Sequence, residues 1–178
     1  MLLETRRLIL RKFRQEDFAD YCAYAIDDEM CYMLKTDPIH TEEEARCCFD
    51  WKMNRENEEW YALWSREAGR VIGGITVVSP LPDYLSRRPE LAGKRGCALS
   101  FAISRHFRRQ GLMEEAVRAL IDYLFRQEGF ELINCGYMDY NLPSQRFQEK
   151  LGFTYLFTER FEDRGVAYAA VENVLWNG

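Results

Sequence analysis

The residues whose types and spacing could do chemistry are Arg105-His106-Phe107-Arg108-Arg109-Gln110-Gly111, set between a strand-like apolar run and a long helix-like one. First-turn N–H groups of a helix lack partners inside it and point at whatever precedes them. With the helix dipole and nearby arginines they form an anion site suited to phosphates. Gly111 would let the backbone approach a ligand with no Cβ in the way. The local pattern is R-x-x-G-x-M, neither the phosphate loop of nucleoside triphosphatases nor a dinucleotide G-x-G-x-x-G. A loop beyond the carboxyl end of a strand is where open sheets bind ligands; without that context the same arginines could be solvated surface.

The elements that must position this loop follow from pattern. Cys97–Ser104 reads as a strand with Leu99, Phe101 and Ile103 on one face. From Gly111 to about Glu128, Ala116, Leu120 and Leu124 make a helical core stripe that Gly129 closes. Ile133–Met138 reads as strand, and Asn141 as the N-cap of a helix carrying Phe147 and Leu151, stopped by Gly152. Upstream, Leu2–Arg11 is expected to be a first strand, and a helix is expected to start at Phe13–Asp17, with Phe18, Tyr21, Cys22 and Ala25 at helical spacing. A short helix is expected after Asp27-Asp28-Glu29, running through Leu34. Thr41 and Glu44 form a capping box for a helix to about Asn54. Trp60–Ser65 and Val71–Val78 read as a hairpin, and Phe153–Glu159 with Tyr168–Leu175 as a terminal antiparallel pair. Ser79–Arg95, with three prolines, reads as a long loop that could be a lid, a binding loop or surface connection. The βα alternation between hairpins points to an α/β sheet of mixed direction.

Composition narrows the function classes. The 178 residues fit one domain, 1–178, and 47% hydrophobic content argues for a packed globule rather than disorder. A net charge of -5 disfavours nucleic acid as a partner, because such domains usually present a basic face. No apolar run approaches membrane-spanning length, and MLLETRRLILR lacks the features of a signal peptide, so no membrane partner is expected. Cys22, Cys31, Cys47, Cys48, Cys97 and Cys135 show neither C-x-x-C spacing nor nearby histidines. We therefore expect no metal, and reduced, mostly buried thiols of a cytoplasmic protein. The acidic runs at 27–29, 42–44 and 56–59 are expected to be helix caps or solvated faces.

The stretch Arg108-x-x-Gly111-x-Met113 resembles motif A of the GNAT N-acetyltransferases, with Glu115-Ala116 resembling the E-A pair that commonly follows. Asn141-Leu142-Pro143-Ser144, then Phe147 and Glu149-Lys150-Leu151-Gly152-Phe153, is similar to the family's N-x-x-S…EKLGF segment. The opening ETRRLILR resembles the branch that includes ribosomal-protein N-terminal acetyltransferases. Together these similarities span almost the whole chain in the family's order. The resemblance implies a twisted mixed, mostly antiparallel sheet of about seven strands flanked by helices (α/β, or α+β by some schemes), with the sheet-ligand site at a strand's carboxyl end. It implies acetyl-coenzyme A as co-substrate, its pantetheine lying where two central parallel strands splay. Phe101, Ala102 and Ile103 would then offer strand backbone to the pantetheine. Arg108, Arg109, Gln110, Gly111, Leu112 and Met113 would wrap the pyrophosphate, chiefly through backbone N–H groups. Asn141 would bond the pantetheine arm and Phe147 pack beside it, although plain core packing is the other reading of Phe101, Ile103 and Phe147.

Acetyl transfer to an amine needs a deprotonated nucleophile, an oxyanion donor and a proton for the leaving thiolate. An N–H near Phe101 or Ala102 would serve the oxyanion. Many members of the family place a tyrosine acid seven residues after the asparagine; Gln148 stands there and cannot donate a proton. Ser144 is the expected replacement, with Tyr137 and Tyr140 as fallbacks. The base is open. Glu172 on the last strand could act, its plainer reading being a solvated edge carboxylate, and His40 and His106 are expected on the surface. The expected acceptor is a small-molecule or peptide amine. The vacant tyrosine position also leaves open a coenzyme A sensor of the same fold without catalysis. Tyr84 in the proline-rich segment could form a homodimer contact or cover the acceptor groove.

Overall fold

A computed structural model describes residues 2–163 and 165–177. Among them, eight strands form one sheet in the order β1-β2-β3-β4-β5-β6-β8-β7. The strands are β1 (Leu2–Glu4), β2 (Leu8–Lys12), β3 (Glu58–Ser65), β4 (Arg70–Val78), β5 (Gly96–Ile103), β6 (Leu132–Met138), β7 (Thr154–Asp163) and β8 (Val166–Trp176). Every neighbouring pair is antiparallel except β5 and β6. The helices are α1 (Phe18–Ala25), α2 (Asp28–Leu34), α3 (Glu42–Met53), α4 (Asp83–Ser86), α5 (Leu112–Arg126) and α6 (Leu142–Leu151).

Successive side chains of a strand point to opposite faces, and the core divides accordingly. Tyr61, Leu63, Cys97, Leu99, Ile133 and Cys135 pack with α5 residues Ala116, Leu120 and Leu124 and with Leu151 of α6. Their strand neighbours Trp60 and Ala62 pack on the other face with Phe18, Tyr21 and Phe49 of α1 and α3. Further along that second face, Leu132 and Val174 meet Leu81, Leu85 and Leu91. The sheet is thus covered on both sides, with α5 and α6 on one face and α1 to α3 plus the 79–95 segment on the other.

Three expectations change. The sheet has eight strands rather than about seven, because Leu2–Arg11 is not one strand. It folds back at Thr5, whose N–H donates to Leu8 O at 2.9 Å, so β1 and β2 pair as a hairpin. The helix expected from Phe13 begins as a single 3-10 turn at Gln15–Asp17 before α1, with Phe13 buried and stacked on Trp60 at 3.7 Å. The 79–95 segment is not an unstructured connection: it forms α4 and buries three leucines, because their spacing lets them cover apolar residues of β6 and β8. The α3 capping box forms as read, Thr41 Oγ1 accepting from Glu44 N and the Glu44 carboxylate accepting from Thr41 N. All six cysteines are free, but only Cys31, Cys97 and Cys135 are buried.

Candidate active site

β5 and β6 pair only from Gly96–Leu99 with Leu132–Cys135. Beyond that register β5 continues to Ile103 on β4, and β6 continues to Met138 on β8. The two strands therefore part, and a cleft opens between their carboxyl halves. Backbone groups of successive strand residues alternate sides, so alternate residues of Ser100–Ile103 turn N–H and C=O away from β4 into this gap. Phe101 and Phe147, both half-buried, meet edge to face at its side, ring centroids 5.0 Å apart. Phe101, Ile103 and Phe147 also pack against the α5–α6 core, so wall and core packing coexist in them.

The chain leaves β5 through a 3-10 turn at Arg105–Phe107 and enters α5 at Gly111. Gly111 has φ +74, which favours glycine, and Arg109 also adopts the left-handed region at φ +62. A non-glycine residue in that region is uncommon and stores strain. Left-handed residues in a loop turn backbone N–H groups toward a common concavity, an anion-binding arrangement that here adjoins the open first turn of α5. Leu112 buries its side chain, so its contribution to such a site is backbone alone.

The loop is clamped from the amino terminus. Arg7 Nη1 donates to Gln110 O at 2.9 Å, and Arg7 Nε meets Glu115 Oε2 at 2.7 Å. Glu115 Oε1 also accepts from Thr5 Oγ1 and Arg7 N. Burial works to raise the Glu115 carboxyl, but the bonds from Thr5 and Arg7 outweigh it and hold its pKa below the ordinary value. The Arg108 guanidinium is engaged by the first acidic run. It bonds Glu29 at 2.8 Å, lies 3.5 Å from Asp27 and reaches Ile103 O. The first acidic run is therefore partly an ion-pair partner of the glycine loop. Asp27 also caps α2, accepting from Met30 N.

Asn141 caps α6 as expected, its Oδ1 accepting from Ser144 N at 3.1 Å. Its Nδ2 donates to Met33 O, so both ends of the amide tie α6 to α2. Ser144 Oγ accepts from Gln148 Nε2 at 3.2 Å, which leaves the hydroxyl proton free to be donated elsewhere. Gln148 is fully buried, with Nε2 also donating to Gly136 O and Oε1 accepting from Asn173 Nδ2. Sequence reasoning saw in Gln148 only a missing acid; its role as the anchor of Ser144 depends on partners 12 and 25 residues away. Of the fallback donors, Tyr140 gives its hydroxyl proton to Tyr32 O, while Tyr137 has a pKa raised chiefly by burial.

Glu172 is not a solvated edge carboxylate. It is 6% exposed, because β8 is an interior strand between β6 and β7 and the 79–95 segment covers that face. Asn134 Nδ2 donates to its Oε2 at 2.9 Å, and Tyr84 Oη to its Oε1 at 3.3 Å. Burial raises its pKa above the ordinary value despite these two bonds. His40 and His106 are exposed, as expected.

This arrangement, a parallel pair that splays beside a glycine loop and the open first turn of α5, is accompanied by a family match. The model of the GNAT acetyltransferase domain matches residues 7–154. The chain belongs to the GNAT acetyltransferases. Among curated proteins it is 23% identical, over 85% of its length and 82% of the relative's, to an uncharacterized N-acetyltransferase, YnaD, of Bacillus subtilis (strain 168). Among solved structures, a GCN5-related N-acetyltransferase from Brucella melitensis shares the fold at TM-score 0.83 and 17% identity, with 99% of this chain and 78% of that one covered. Spermidine N-acetyltransferase from Vibrio cholerae, solved with CoA and spermine, shares it at TM-score 0.75 and 14% identity over 97% and 96%. The GNAT fold uses acetyl-coenzyme A, and the gap and loop of this chain have the backbone groups that such a ligand requires.

Proposed function

We propose that this single-domain acetyltransferase transfers the acetyl group of acetyl-coenzyme A to a primary amine, a protein N-terminus or a small amine, by direct attack in a ternary complex. The observation that carries the reading is the Ser144 hydroxyl. Gln148 donates to its oxygen from a fully buried position beside the β5–β6 gap, which orients the free proton as an acid for the leaving thiolate. In this reading Phe101–Ile103 present strand backbone to the pantetheine, with an N–H of Phe101 or Ala102 at the oxyanion. The N–H groups of Arg108–Met113 meet the pyrophosphate, their left-handed turns supporting an anion concavity. Phe147 packs beside the pantetheine arm and Asn141, its amide engaged at both ends, holds the α6 start in place for it. The opening ETRRLILR and the N-x-x-S segment support a place near the ribosomal-protein N-terminal acetyltransferase branch.

A cationic acceptor is supported by a cleft of about 550 Å³ lined by Tyr32, Tyr140, Tyr168 and the acids Asp28, Asp37 and Asp163. An ammonium already rests there: Lys35 Nζ lies 4.4 Å from the Tyr168 ring centroid and 2.6 Å from Asp163. The test is coenzyme A release from acetyl-coenzyme A with peptides and with small amines, alongside thermal unfolding with each ligand. A ligand at about 100 times its Kd adds roughly 2.7 kcal/mol of stability. Stabilisation by acetyl-coenzyme A without amine-dependent turnover would refute the enzyme reading in favour of a sensor. Ser144→Ala is expected to lower kcat at least about 100-fold while leaving acetyl-coenzyme A affinity unchanged. Full activity in that variant would remove the acid role.

A further inference from the structure

The buried Glu172 carboxylate has no part in the function above, yet it stands at a particular place. Gly136 is the first β6 residue beyond the last β5–β6 pair, Leu99 with Cys135. Glu172 is its cross-strand partner on β8 and lays its carboxylate over it: a Cβ on Gly136 would stand 2.7 Å from Oε2. With the carboxylate in this position, only glycine leaves that space. The carbonyl of the same Gly136 accepts from Gln148 Nε2, the amide that orients Ser144.

Alternation along β8 sends Asn173 to the α6 side, where it bonds Gln148, and Glu172 to the opposite face. The carboxylate and the Ser144 hydroxyl thus flank one strand residue, at the point where β5 and β6 part, from opposite faces of the sheet. Tyr168, Ala170 and Glu172 share that face. They run from the tyrosine-lined cleft to the carboxylate over roughly 13 Å, four residues of strand rise. Tyr168 lines the cleft, and Glu172 follows it two side chains further along the same strand face.

We propose that Glu172 is the general base that takes a proton from the acceptor ammonium, its carboxylate held by Asn134 and Tyr84. The assignment rests on the acetyl-transfer reading above. In the step, one ammonium N–H proton passes to the carboxylate, giving a neutral amine and a carboxylic acid. The amine lone pair forms the N–C bond to the thioester carbonyl. The C–S bond then breaks, a second nitrogen proton passing to the sulfur by way of Ser144, and Glu172 returns its proton to solvent. Products are amide, thiol and one proton.

The groups facing the carboxylate are Asn134 of β6, Tyr84 of the 79–95 segment and Glu159 of β7, while the buried Cys135 thiol lies on the opposite face of β6. Burial first, then the Glu159 charge, moves Glu172 upward against the bonds from Asn134 and Tyr84. A carboxylate shifted toward the working pH is a stronger base.

The test is Glu172→Gln in the full chain, with kcat/KM for an amine that the wild type acetylates measured from pH 6 to 10. The amide keeps the shape, accepting from Asn134 and donating to Tyr84. Expected is a loss of about 100-fold at pH 7, shrinking toward none as the pH nears the amine's own pKa, where no base is needed. Acetyl-coenzyme A Kd is unchanged. Because folding raises the Glu172 pKa, its favourable contribution is present below the ordinary 4.5 and is lost as pH rises through the folded value. Glu172→Gln therefore unfolds at pH 7 no earlier than wild type. Wild-type kcat/KM at pH 7, or one fold-loss at every pH with earlier unfolding, would overturn the assignment. A wild type that acetylates no amine would overturn the acetyl-transfer reading, and this assignment with it.

Discussion

Replacing Gln148 by methionine keeps the length of the side chain and removes all of its hydrogen bonds. In the wild type, Nε2 donates to Gly136 O at 3.3 Å and Ser144 Oγ at 3.2 Å, and Oε1 accepts from Asn173 Nδ2 at 3.0 Å. The consequences differ by burial. Gly136 is exposed and Ser144 half-buried, so water can replace the lost donor at both. Asn173 is 4% exposed, and the N–H that bonds Gln148 would be left as a buried donor without an acceptor, costing about 1–3 kcal/mol. Adding about 1 kcal/mol for the other two bonds together gives roughly 2–4 kcal/mol. At roughly 2–4 °C per kcal/mol for a chain of this size, Tm falls by about 4–16 °C. Thermal and urea unfolding at pH 7 measure the loss. Adding Asn173→Leu to Gln148→Met removes the orphaned donor and should recover part of it, since deleting both partners is milder than deleting one. The same variants should lower kcat, because the Ser144 hydroxyl loses the group that sets its rotamer. A Gln148→Met variant that unfolds with the wild type would refute the network as a source of stability. Unchanged kcat would refute its role in orienting Ser144.

Gly111→Glu adds a Cβ at φ +74 and a negative charge at the mouth of the anion loop. The strain is about 1–2 kcal/mol, and acetyl-coenzyme A Kd should rise at least about tenfold, the charge repulsion acting on the pyrophosphate. Isothermal titration of the folded variant checks this, and an unchanged Kd would remove the loop from the cofactor site. Glu115→Gln tests the amino-terminal clamp through pH. Since folding lowers the Glu115 pKa, the folded state binds that proton less tightly, and the stabilisation is present above the ordinary 4.5 and is lost as pH falls through the folded value. The gap in urea midpoint between wild type and Glu115→Gln should therefore be widest near neutrality and close below 4.5; a constant gap would show that the ionised carboxylate contributes nothing.

Local chemistry was legible in the sequence wherever the cause lies within a few residues. The Thr41 capping box, the Asn141 cap, the α5 stripe of Ala116, Leu120 and Leu124 and the glycine at 111 each depend on neighbours within one or two turns. The family resemblance rested on those same short segments, which is why it carried the fold class and the position of the loop. A hairpin and a single strand share the same apolar residues over 2–11, and only the Thr5–Leu8 bond decides between them.

What the tertiary structure alone decided is every feature made by partners distant in the chain. Arg108 finds Asp27 and Glu29 about eighty residues upstream. Arg109 adopts a left-handed turn that no side chain announces. Gln148 turns from a missing acid into an anchor because Gly136 and Asn173 face it. Glu172 looked like an edge carboxylate because the last strand in sequence is the natural candidate for a sheet edge. It is buried because β7 takes the edge and β8 returns inside it, under Tyr84 and the leucines of the 79–95 segment. Sequence spacing determines which residues share an element's face; strand order determines which faces are dry, and the chemistry of a carboxylate depends on the second.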